Sequence, residues 1–482
     1  MLPWFLHGLY KVQQVQPAFL GPLRPAADLV RFEREGTLTL MNGRYPRPLI
    51  FRRGVDVVKA ALDCPDGISD PALRELLVRF RILVTEQEPI PETHQRFEIE
   101  GKRDLGLYLL VTQQCNLGCV YCLGRNESYL NNARMSEATA KLTIEKAAQS
   151  MAPNGRLQII YFGGEPLLNW GVVRECIRYV DEELRGRYDV EFKNHLTTNL
   201  TVLPEDFLDV AAAHGVSVLV DLDGPCNIHN RNRPFRSGRP SYNKIIRNIE
   251  KLRERKIYYE LRATVTSDNV ADLRAIQEHH ERLKPEACAF PTLIPVDSEG
   301  HALDPALYPD AEVYARELSG AISDHRFDLS RVCPSNVIAT RMLRGEFVVY
   351  GCGMILGNTG VVDHDGTVYP CIYFVGQEAF RLGSISDPGN VLSQENYQQF
   401  FDTYAPQLHV DNLEECRSCP IRYLCGAGCS IRFLSLKGDD EWTRRARRYF
   451  LEINCAASWA SVEAAIDYFN NKSQRAGVAV QP

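Results

Sequence analysis

The sequence predicts an α/β protein built on a parallel sheet that curves into a partial, TIM-like (β/α)6 barrel. Between residue 105 and about residue 325, short apolar runs alternate with segments whose apolar residues recur at helical spacing. This alternation is typical of βα units, which place their strands in parallel. We expect three domains: a winged-helix-like α+β domain over residues 1–100, the barrel over 101–328 and a cysteine-rich domain over 329–482.

The composition excludes several classes of protein. The 482 residues carry a net charge of −6, with 45% hydrophobic and 24% charged residues, which is ordinary for a globular protein. This balance favours neither nucleic acid nor an anionic membrane as a partner. No apolar run approaches a membrane span, and the first residues lack a basic start and a small-residue cleavage site. We therefore expect a cytoplasmic protein.

The cysteines are numerous and clustered. Of the 15 cysteines, ten fall into short motifs, which indicates metal ligation rather than disulfides in a cytoplasmic chain. The others are isolated and are expected to be small buried apolar side chains: Cys64, Cys176, Cys226, Cys288 and Cys333.

The N-terminal residues predict strands followed by short helices. Asp70 before Pro71 is a typical helix start. Pro89, Pro91 and the polar run to Lys102 suit a linker. The segments with strand or helix patterns are 29–41 (two strands around a turn at Glu35 and Gly36), 55–62 (helix), 71–78 (helix) and 82–85 (strand).

The barrel region contains six apolar segments with strand character and helical segments between them. The predicted strands cover residues 105–112, 157–162, 190–197, 216–222, 258–265 and 287–294. The predicted helices cover residues 136–150, 172–184, 204–214, 241–255 and 270–283.

Three cysteines follow the first predicted strand of the barrel. Residues 111–122 read VTQQCNLGCVYC, which places Cys115, Cys119 and Cys122 on one loop. That loop leaves the carboxyl end of the strand, where barrel enzymes carry their chemistry. Three thiolates suit a 4Fe–4S cluster with one open iron better than a structural zinc ion, which takes four closed ligands. A zinc knuckle remains the alternative.

Polar residues at later strand ends are further candidates. Residues 163–166 read Gly-Gly-Glu-Pro, in which the glycines allow close backbone approach and Glu165 can accept a hydrogen bond from an ammonium group. Thr198 and Asn199 end the next strand, where a helix-capping role is the alternative. Arg262 lies inside a buried strand and needs a partner, either a ligand carboxylate or a structural ion pair. His229 is expected at the surface.

The remaining cysteines lie near the C-terminus. They comprise Cys352, Cys371, the run Cys416, Cys419, Cys425 and Cys429, and Cys455. A zinc ribbon uses four ligands and would leave three of these cysteines unexplained. The sequence identifies no general base, and Asp363, His364 and Asp365 are expected to be turn residues.

The cysteine loop with the Gly-Gly-Glu-Pro segment one strand later resembles the radical S-adenosylmethionine (SAM) superfamily. The resemblance implies a 4Fe–4S cluster whose open iron binds SAM and supplies the electron that cleaves it, giving a 5′-deoxyadenosyl radical that abstracts a substrate hydrogen atom. It implies SAM contacts from Tyr121, Gly163, Gly164, Glu165, Pro166, Thr198, Asn199 and Arg262. Asp221 stands where related enzymes often have serine, so its direct contact with SAM is not expected.

The C-terminal cysteines resemble the SPASM extension of that superfamily, which carries two auxiliary 4Fe–4S clusters. The resemblance assigns Cys352, Cys371 and Cys429 to the first cluster, and Cys416, Cys419, Cys425 and Cys455 to the second. The first set has only three cysteines, because residues 353–360 supply no fourth. One iron is then open to water, another side chain or a substrate thiolate, and Cys333 is a less favoured fourth ligand.

These resemblances predict a maturase that modifies a peptide or small protein, most simply by linking a cysteine sulfur to carbon as the thioether-forming maturases do. The alternatives are a sulfatase-type formylglycine maturase, a carbon–carbon cross-linking cyclase and, from another class, an iron–sulfur electron-transfer protein. The N-terminal segment resembles the leader-peptide recognition element of peptide-modifying relatives, and a structural cap on the barrel is its alternative. A flavodoxin- or ferredoxin-like electron donor is implied as a further partner.

Overall fold

The computed structural model describes residues 10–11, 22–34, 36–85, 102–122, 132–297, 299–323 and 331–475. The predicted turn residue Glu35 and the predicted linker up to residue 101 lie outside these ranges, as do the expected domain boundaries at 100 and 328. No helix in the described ranges is long and apolar enough to cross a membrane.

The N-terminal part contains the expected strands followed by helices. Asp70 caps the second helix, because its side chain accepts hydrogen bonds from the N–H groups of Ala72 and Leu73. The elements are β1 (Tyr10–Lys11), β2 (Leu23–Pro25), β3 (Leu29–Arg34), β4 (Thr37–Asn42), β5 (Tyr45–Phe51), α1 (Val55–Asp63), α2 (Pro71–Arg79) and β6 (Leu83–Thr85). Strands β3, β4 and β5 form an antiparallel sheet, and β2 pairs with β6.

The N-terminal sheet is covered on both faces. Leu38 and Leu40 of β4 pack with α1 and α2 in one apolar cluster. Val30 and Met41 point to the other face and join a cluster that contains Tyr314 of a later barrel helix. The period of two residues along each strand separates these two sets, so the N-terminal part is bound to the rest of the chain through a buried apolar face.

The barrel has the predicted strands and helices in the predicted order, with one further short helix after the fourth strand that was not predicted. Its strands are β7 (Lys102–Thr112), β8 (Met151–Gly163), β9 (Val190–Thr198), β10 (Ser217–Asp221), β11 (Tyr259–Arg262) and β12 (Ala287–Ala289). Its helices are α3 (Glu137–Gln149), α4 (Trp170–Tyr179), α5 (Phe207–Ala213), α6 (Cys226–Asn232), α7 (Tyr242–Glu254) and α8 (Leu273–Leu283). The last strand ends earlier than predicted, since Pro291 and Pro295 follow it and lack the N–H that a ladder needs.

The C-terminal part extends the barrel sheet at both edges. Its elements are α9 (Ala311–Ser323), β13 (Val332–Cys333), α10 (Ser335–Arg344), β14 (Glu346–Phe347), β15 (Thr359–Val362), β16 (Thr367–Tyr369), β17 (Gly383–Ser384), α11 (Gln394–Leu408), α12 (Arg422–Cys425), α13 (Ile431–Leu434) and α14 (Glu441–Arg475). β13 pairs in parallel with β12, and β15 pairs in parallel with β7. The resulting ten-stranded sheet joins the barrel and the cysteine-rich region into one continuous structure.

Alternate residues of β7 face two different cores. Leu107 and Leu109 pack among the barrel helices. Leu110 points the other way and packs with Tyr369 and Phe374 of the C-terminal part. The cysteine-rich region therefore covers the inner face of the first barrel strand, next to the loop that carries the three clustered cysteines.

Candidate active site and cluster sites

Cys115, Cys119 and Cys122 lie on the loop that follows β7, as predicted. The three thiols lie close enough for their charges to interact. A negative charge on Cys122 raises the pKa of both Cys115 and Cys119. Burial is the larger cause and raises the pKa of Cys115 to about 12. Thiols in such surroundings stay protonated until a metal takes their protons. The raised pKa values argue against free reactive thiolates on this loop, and cluster ligation by the three cysteines stays a prediction.

The segment after β10 holds the cysteine loop in place. The backbone N–H of Gly118 donates to the carbonyl of Pro234, and that of Val120 donates to the carbonyl of Asn232. The N–H of Arg236 donates in return to the carbonyl of Asn116. These backbone contacts set the loop geometry independently of its side chains.

Glu165 is buried beneath the cysteine loop and accepts three hydrogen bonds, which leaves room for one more donor. Its Oε1 accepts from Thr198 Oγ1 at 2.7 Å and from the N–H of Leu167 at 3.0 Å, and its Oε2 accepts from the N–H of Asn199 at 2.7 Å. Burial raises the pKa of this carboxyl to about 7, against the opposing effect of these hydrogen bonds. A buried carboxylate with a raised pKa favours a cationic partner such as an ammonium group.

The glycines before Glu165 allow close approach to the cysteine loop itself. A Cβ on Gly163 would lie 2.1 Å from the carbonyl oxygen of Thr112, and one on Gly164 would lie 2.2 Å from that of Gln114. The N–H of Glu165 donates to this same Gln114 carbonyl at 2.7 Å. Pro166 then starts a short 3₁₀ turn over Pro166–Asn169. The two predicted motifs thus meet through their backbones, while a SAM contact from the glycines stays a prediction.

Thr198 and Asn199 contact the predicted site from β9. Asn199 Nδ2 lies 3.1 Å from Asn116 Oδ1 and 3.8 Å from Cys115 Sγ. Asn199 also accepts from the N–H and hydroxyl of Thr201, and so closes the turn after the strand. Thr198 and Asn199 therefore lie beside the cysteine loop, and they do not cap a helix, since the next helix has Asp206 at its N-cap.

Tyr121 is part of a buried charge network. Its hydroxyl donates to Asp223 Oδ2 at 2.6 Å, and the Arg233 guanidinium lies 5.2 Å from the centre of its ring. Arg233 Nε pairs with Asp223 Oδ1 at 3.0 Å, and its Nη1 lies 4.0 Å from Cys119 Sγ. Two acidic and two basic side chains complete the network, since Arg233 also reaches Asp221 at 3.3 Å and Asp221 pairs with Arg262 at 2.7 Å.

This network bears on the expectations for two residues. Arg262 pairs with Asp221 at 2.7 Å, as the ion-pair alternative expected, and its contact with a SAM carboxylate stays a prediction. The expectation that His229 lies at the surface is wrong, since His229 is fully buried and accepts from the N–H of Asp223 at 3.1 Å. Burial lowers the pKa of His229 to about 4, so it is neutral at physiological pH.

The first predicted auxiliary set converges between β15, β16 and α13. Cys371 has a pKa raised well above the ordinary range by burial and by the nearby thiols of Cys352 and Cys429. Ser430 donates hydrogen bonds to Cys352 from its N–H and its hydroxyl. Cys333, the less favoured fourth ligand, lies instead at the end of β13, on the far edge of the barrel sheet.

The second predicted auxiliary set lines one cavity. A space of about 280 Å³ is bounded by Cys416, Cys419, Cys425 and Cys455, together with Trp459 and neighbouring residues. All of the cysteines that the resemblance assigns to this cluster therefore face the same space, although Cys455 comes from α14 and the others from the segment before and within α12.

The isolated cysteines differ from expectation in part. Cys176 and Cys288 are buried and Cys333 is partly buried, but Cys64 and Cys226 are exposed. Cys226 lies at the exposed first turn of α6, where apolar burial is not available to it.

A polar cluster beside the cysteine loop was not predicted. Gln113 Nε2 lies 3.3 Å from Asp363 Oδ1 and 3.2 Å from His364 Nδ1, and the last two atoms are 3.0 Å apart. These residues are some 250 positions apart along the chain. Only the parallel pairing of β7 with β15 brings them together, so no local pattern could have indicated the contact.

The residues present fit the expected clusters. The cysteines fall into three separate sets, and the second auxiliary set lines one cavity. Among the described residues, no group of His, Cys, Asp or Glu side chains converges closely enough to hold a single metal ion. Cubane clusters spread their thiolate ligands more widely than a mononuclear tetrahedral site does.

Comparison with known proteins identifies two domains. Residues 109–278 match the model of the radical SAM superfamily, and residues 352–420 match the SPASM iron–sulfur cluster-binding domain. A cysteine-type anaerobic sulfatase-maturating enzyme of Clostridium perfringens is 26% identical over 65% of this chain and 85% of its own length.

Two solved structures share the fold. The structure of anSMEcpe with bound AdoMet superposes with a TM-score of 0.61 at 19% identity, covering 76% of this chain and 96% of the other. Streptococcus suis SuiB bound to its precursor peptide SuiA superposes with a TM-score of 0.50 at 12% identity, covering 88% of this chain and 100% of the other.

Proposed function

We propose that this chain, a radical SAM enzyme with a SPASM extension that modifies peptides or small proteins, links a cysteine sulfur of its substrate to a carbon atom as a thioether. The observation that carries the proposal is the first auxiliary set, in which Cys371 lies with Cys352 and Cys429. The sequence between Cys352 and Gly360 offers no further cysteine, so a substrate thiolate has an iron available to bind.

SAM and three 4Fe–4S clusters, when bound, supply the radical and the electron transfers. The residues around the first cysteine loop position SAM and exclude water. Glu165 is placed to accept a hydrogen bond from the SAM ammonium group, and Asn199 lies beside Cys115. Tyr121 presents its ring to the site while Asp223 holds its hydroxyl. Arg262 pairs with Asp221 through Nε. Its other guanidinium nitrogens can donate to an incoming carboxylate.

A formylglycine-forming activity is the second candidate. It is favoured by the relative from Clostridium perfringens, which is a cysteine-type anaerobic sulfatase-maturating enzyme. A carbon–carbon link is the remaining outcome of the same machinery. The radical SAM domain over residues 109–278 favours all of these over a pure electron-transfer protein, which has no use for an open iron.

The N-terminal part has an edge at which a leader segment of the substrate can bind. β3 is an outer strand of its sheet, and a cleft of about 660 Å³ lies beside it, between β3, α9 and α14. The carbonyl of Asp28 accepts from the N–H of Gly43, so this pair of residues is hydrogen-bonded across the two strands. Hydrogen-bonded and non-hydrogen-bonded pairs alternate in an antiparallel ladder, so the backbone N–H and C=O groups of Arg31 and Glu33 point away from β4. An extended peptide can add to such an edge as a further strand. A flavodoxin- or ferredoxin-like protein is proposed as the electron donor.

The function is tested by anaerobic co-expression with each short open reading frame beside the gene, followed by mass spectrometry of the peptides. A thioether removes two hydrogens per link and protects the cysteine from alkylation. A formylglycine instead creates an aldehyde that a hydrazide reagent labels. A chain with Cys115, Cys119 and Cys122 changed to Ala must leave the peptide unaltered. The control Cys226→Ala, at an exposed isolated cysteine, must still modify the peptide. An aldehyde, or alkylated cysteines in a product lighter by two hydrogens, contradicts the thioether.

A further inference from the structure

Two polar side chains that are not among the predicted ligands of the second auxiliary set contact Cys425 or the residue before it. Ser458 Oγ lies 3.1 Å from Cys425 Sγ and donates to it. Ser458 follows Cys455 by three residues on α14, so ligand and donor lie on the same face of the helix. Ser461, one turn further along, instead donates back to the carbonyl of Ala457. Ser458 therefore donates to a predicted ligand sulfur, whereas Ser461 on the same helix donates to a backbone carbonyl.

Arg341 is the second of these side chains. It extends from α10 and donates from Nη1 to the carbonyl of Leu424 at 2.6 Å, directly before the ligand Cys425. Its side chain is 4% exposed, and its Nε has no hydrogen-bond partner among the described residues. Cys425 and Glu346 are the groups whose charges act on it.

The charge of Arg341 is compensated less than that of another arginine near the same set. Arg422 forms ion pairs with both Asp28 and Asp411. Arg341 has no such close pair in the ranges that the structure describes, and burial lowers its pKa to about 10. A guanidinium still keeps its proton at physiological pH. A positive charge without a close ion pair among the described residues thus lies buried beside Leu424, the residue before Cys425.

We propose that Arg341 and Ser458 raise the reduction potential of the cluster held by Cys416, Cys419, Cys425 and Cys455, and so make this cluster the acceptor of the electron released when the product closes. Reduction adds a negative charge to the cluster. Hydrogen bonds to ligand sulfurs and nearby positive charge stabilise that state, and a buried charge acts strongly because little water screens it.

The electron balance of the proposed thioether step requires such an acceptor. The substrate loses a hydrogen atom from carbon to the deoxyadenosyl radical and a proton from sulfur, and forming the sulfur–carbon bond then releases one electron. That electron would pass from the first auxiliary cluster, where the thiolate would bind, to the second, which Cys416, Cys419, Cys425 and Cys455 would hold, and then to an external flavodoxin- or ferredoxin-type protein. This use of the electron rests on the proposed function, whereas the effect of the two side chains on the potential does not.

The test is a potentiometric titration followed by electron paramagnetic resonance, in full-length reconstituted protein. A background with Cys115, Cys119 and Cys122 changed to Ala removes the signal of the SAM cluster. Cys425→Ser, which exchanges one ligand of the second auxiliary set, identifies the signal that belongs to this set.

Ser458→Ala and Arg341→Met are expected to shift the midpoint potential of this signal to more negative values. Arg341→Lys should retain most of the original potential, because it keeps the charge. Ser461→Ala is the matched control on α14 and should have no effect. Ser458→Ala provides the measurement even where Arg341→Met fails to fold, since alanine is well tolerated in a helix.

Unchanged potentials in Ser458→Ala and Arg341→Met overturn the inference. It is also overturned if Arg341→Lys shifts the potential as far as Arg341→Met does, which would indicate packing rather than charge. If the potentials shift as expected but no peptide is cross-linked by the wild-type enzyme, the inference stands and the thioether function fails. The two failures are therefore distinguishable.

Discussion

The hydroxyl of Tyr121 donates to Asp223 at 2.6 Å and thereby ties the cysteine loop to the segment after β10. Asp223 is fully buried and also holds Arg233 and the N–H of Thr264. Removing one hydrogen bond to a charged group costs about 1–3 kcal/mol, whereas removing Asp223 takes one of two carboxylate partners from buried Arg233, which costs up to about 3–5 kcal/mol. We expect Tyr121→Phe to lower the thermal midpoint of unfolding slightly and Asp223→Ala to lower it strongly. Equal effects would contradict this ranking.

SAM affinity is expected to depend on the ionisation of Glu165. Burial raises the pKa of this carboxyl to about 7, so it is mostly neutral at lower pH and cannot pair with an ammonium group. Binding that requires the ionised form weakens roughly tenfold when the pH falls one unit below that pKa. Calorimetric titration with SAM at several pH values measures this dependence. Glu165→Gln should bind SAM more weakly and lose the dependence, and an unchanged pH profile in this variant would contradict the assignment.

Gly164→Ala should dislodge the cysteine loop. The added Cβ would lie 2.2 Å from the carbonyl oxygen of Gln114, which is backbone and cannot move alone. We expect the variant to lose about four iron atoms per chain, those of the SAM cluster, and to keep the auxiliary clusters. Iron analysis and the visible spectrum measure this loss. Gly171→Ala is the control, because nothing lies within 4 Å of the added atom there. Full iron content in Gly164→Ala would show that the loop tolerates the displacement.

Lys102 should make the free energy of unfolding depend on pH in the alkaline range. Its side chain is buried, with Nζ 3.5 Å from the centre of the Tyr397 ring, and burial holds its pKa well below the ordinary value. Between the lowered folded pKa and the unfolded value of about 10.4, the unfolded chain binds more protons, so stability rises with pH in that window. Lys102→Met should flatten the rise and increase stability below it, as measured by thermal unfolding from neutral pH to about pH 10.

Lys141 provides the control for this experiment. It lies on α3 and pairs with Glu137 at 2.7 Å at the surface. Lys141→Met should leave the pH profile in place. A profile that stays steep in Lys102→Met would show that another group causes it.

The outer edge of β3 should bind the substrate leader through backbone groups. Arg31→Pro removes an N–H that points away from β4, and proline is tolerated on an edge strand. Arg31→Ala removes the side chain alone. We expect Arg31→Pro to weaken leader binding, measured by fluorescence anisotropy with a labelled client peptide, and Arg31→Ala to change it little. Equal losses in both variants would assign binding to the side chain instead.

Local patterns in the sequence were sufficient for the framework of the protein. Apolar periodicity located the six barrel strands and their helices, because each element buries one face and repeats at its own period. The spacing of Cys115, Cys119 and Cys122 indicated a ligand set, because three residues on one short loop converge whatever the rest of the chain does. The Asp70 cap was readable for the same reason, since its partners are two and three residues away.

Only the tertiary structure decided which distant side chains meet. It paired Arg262 with Asp221, buried His229, brought Gln113 to Asp363 and placed Ser458 against Cys425. The three contacts join residues that are far apart along the chain, so no local pattern indicates them. The burial of His229 depends on the elements that pack around it. The sequence by itself therefore determined the order of the elements and the cysteines proposed as cluster ligands, while long-range packing determined the burial, ion pairs and hydrogen bonds around them.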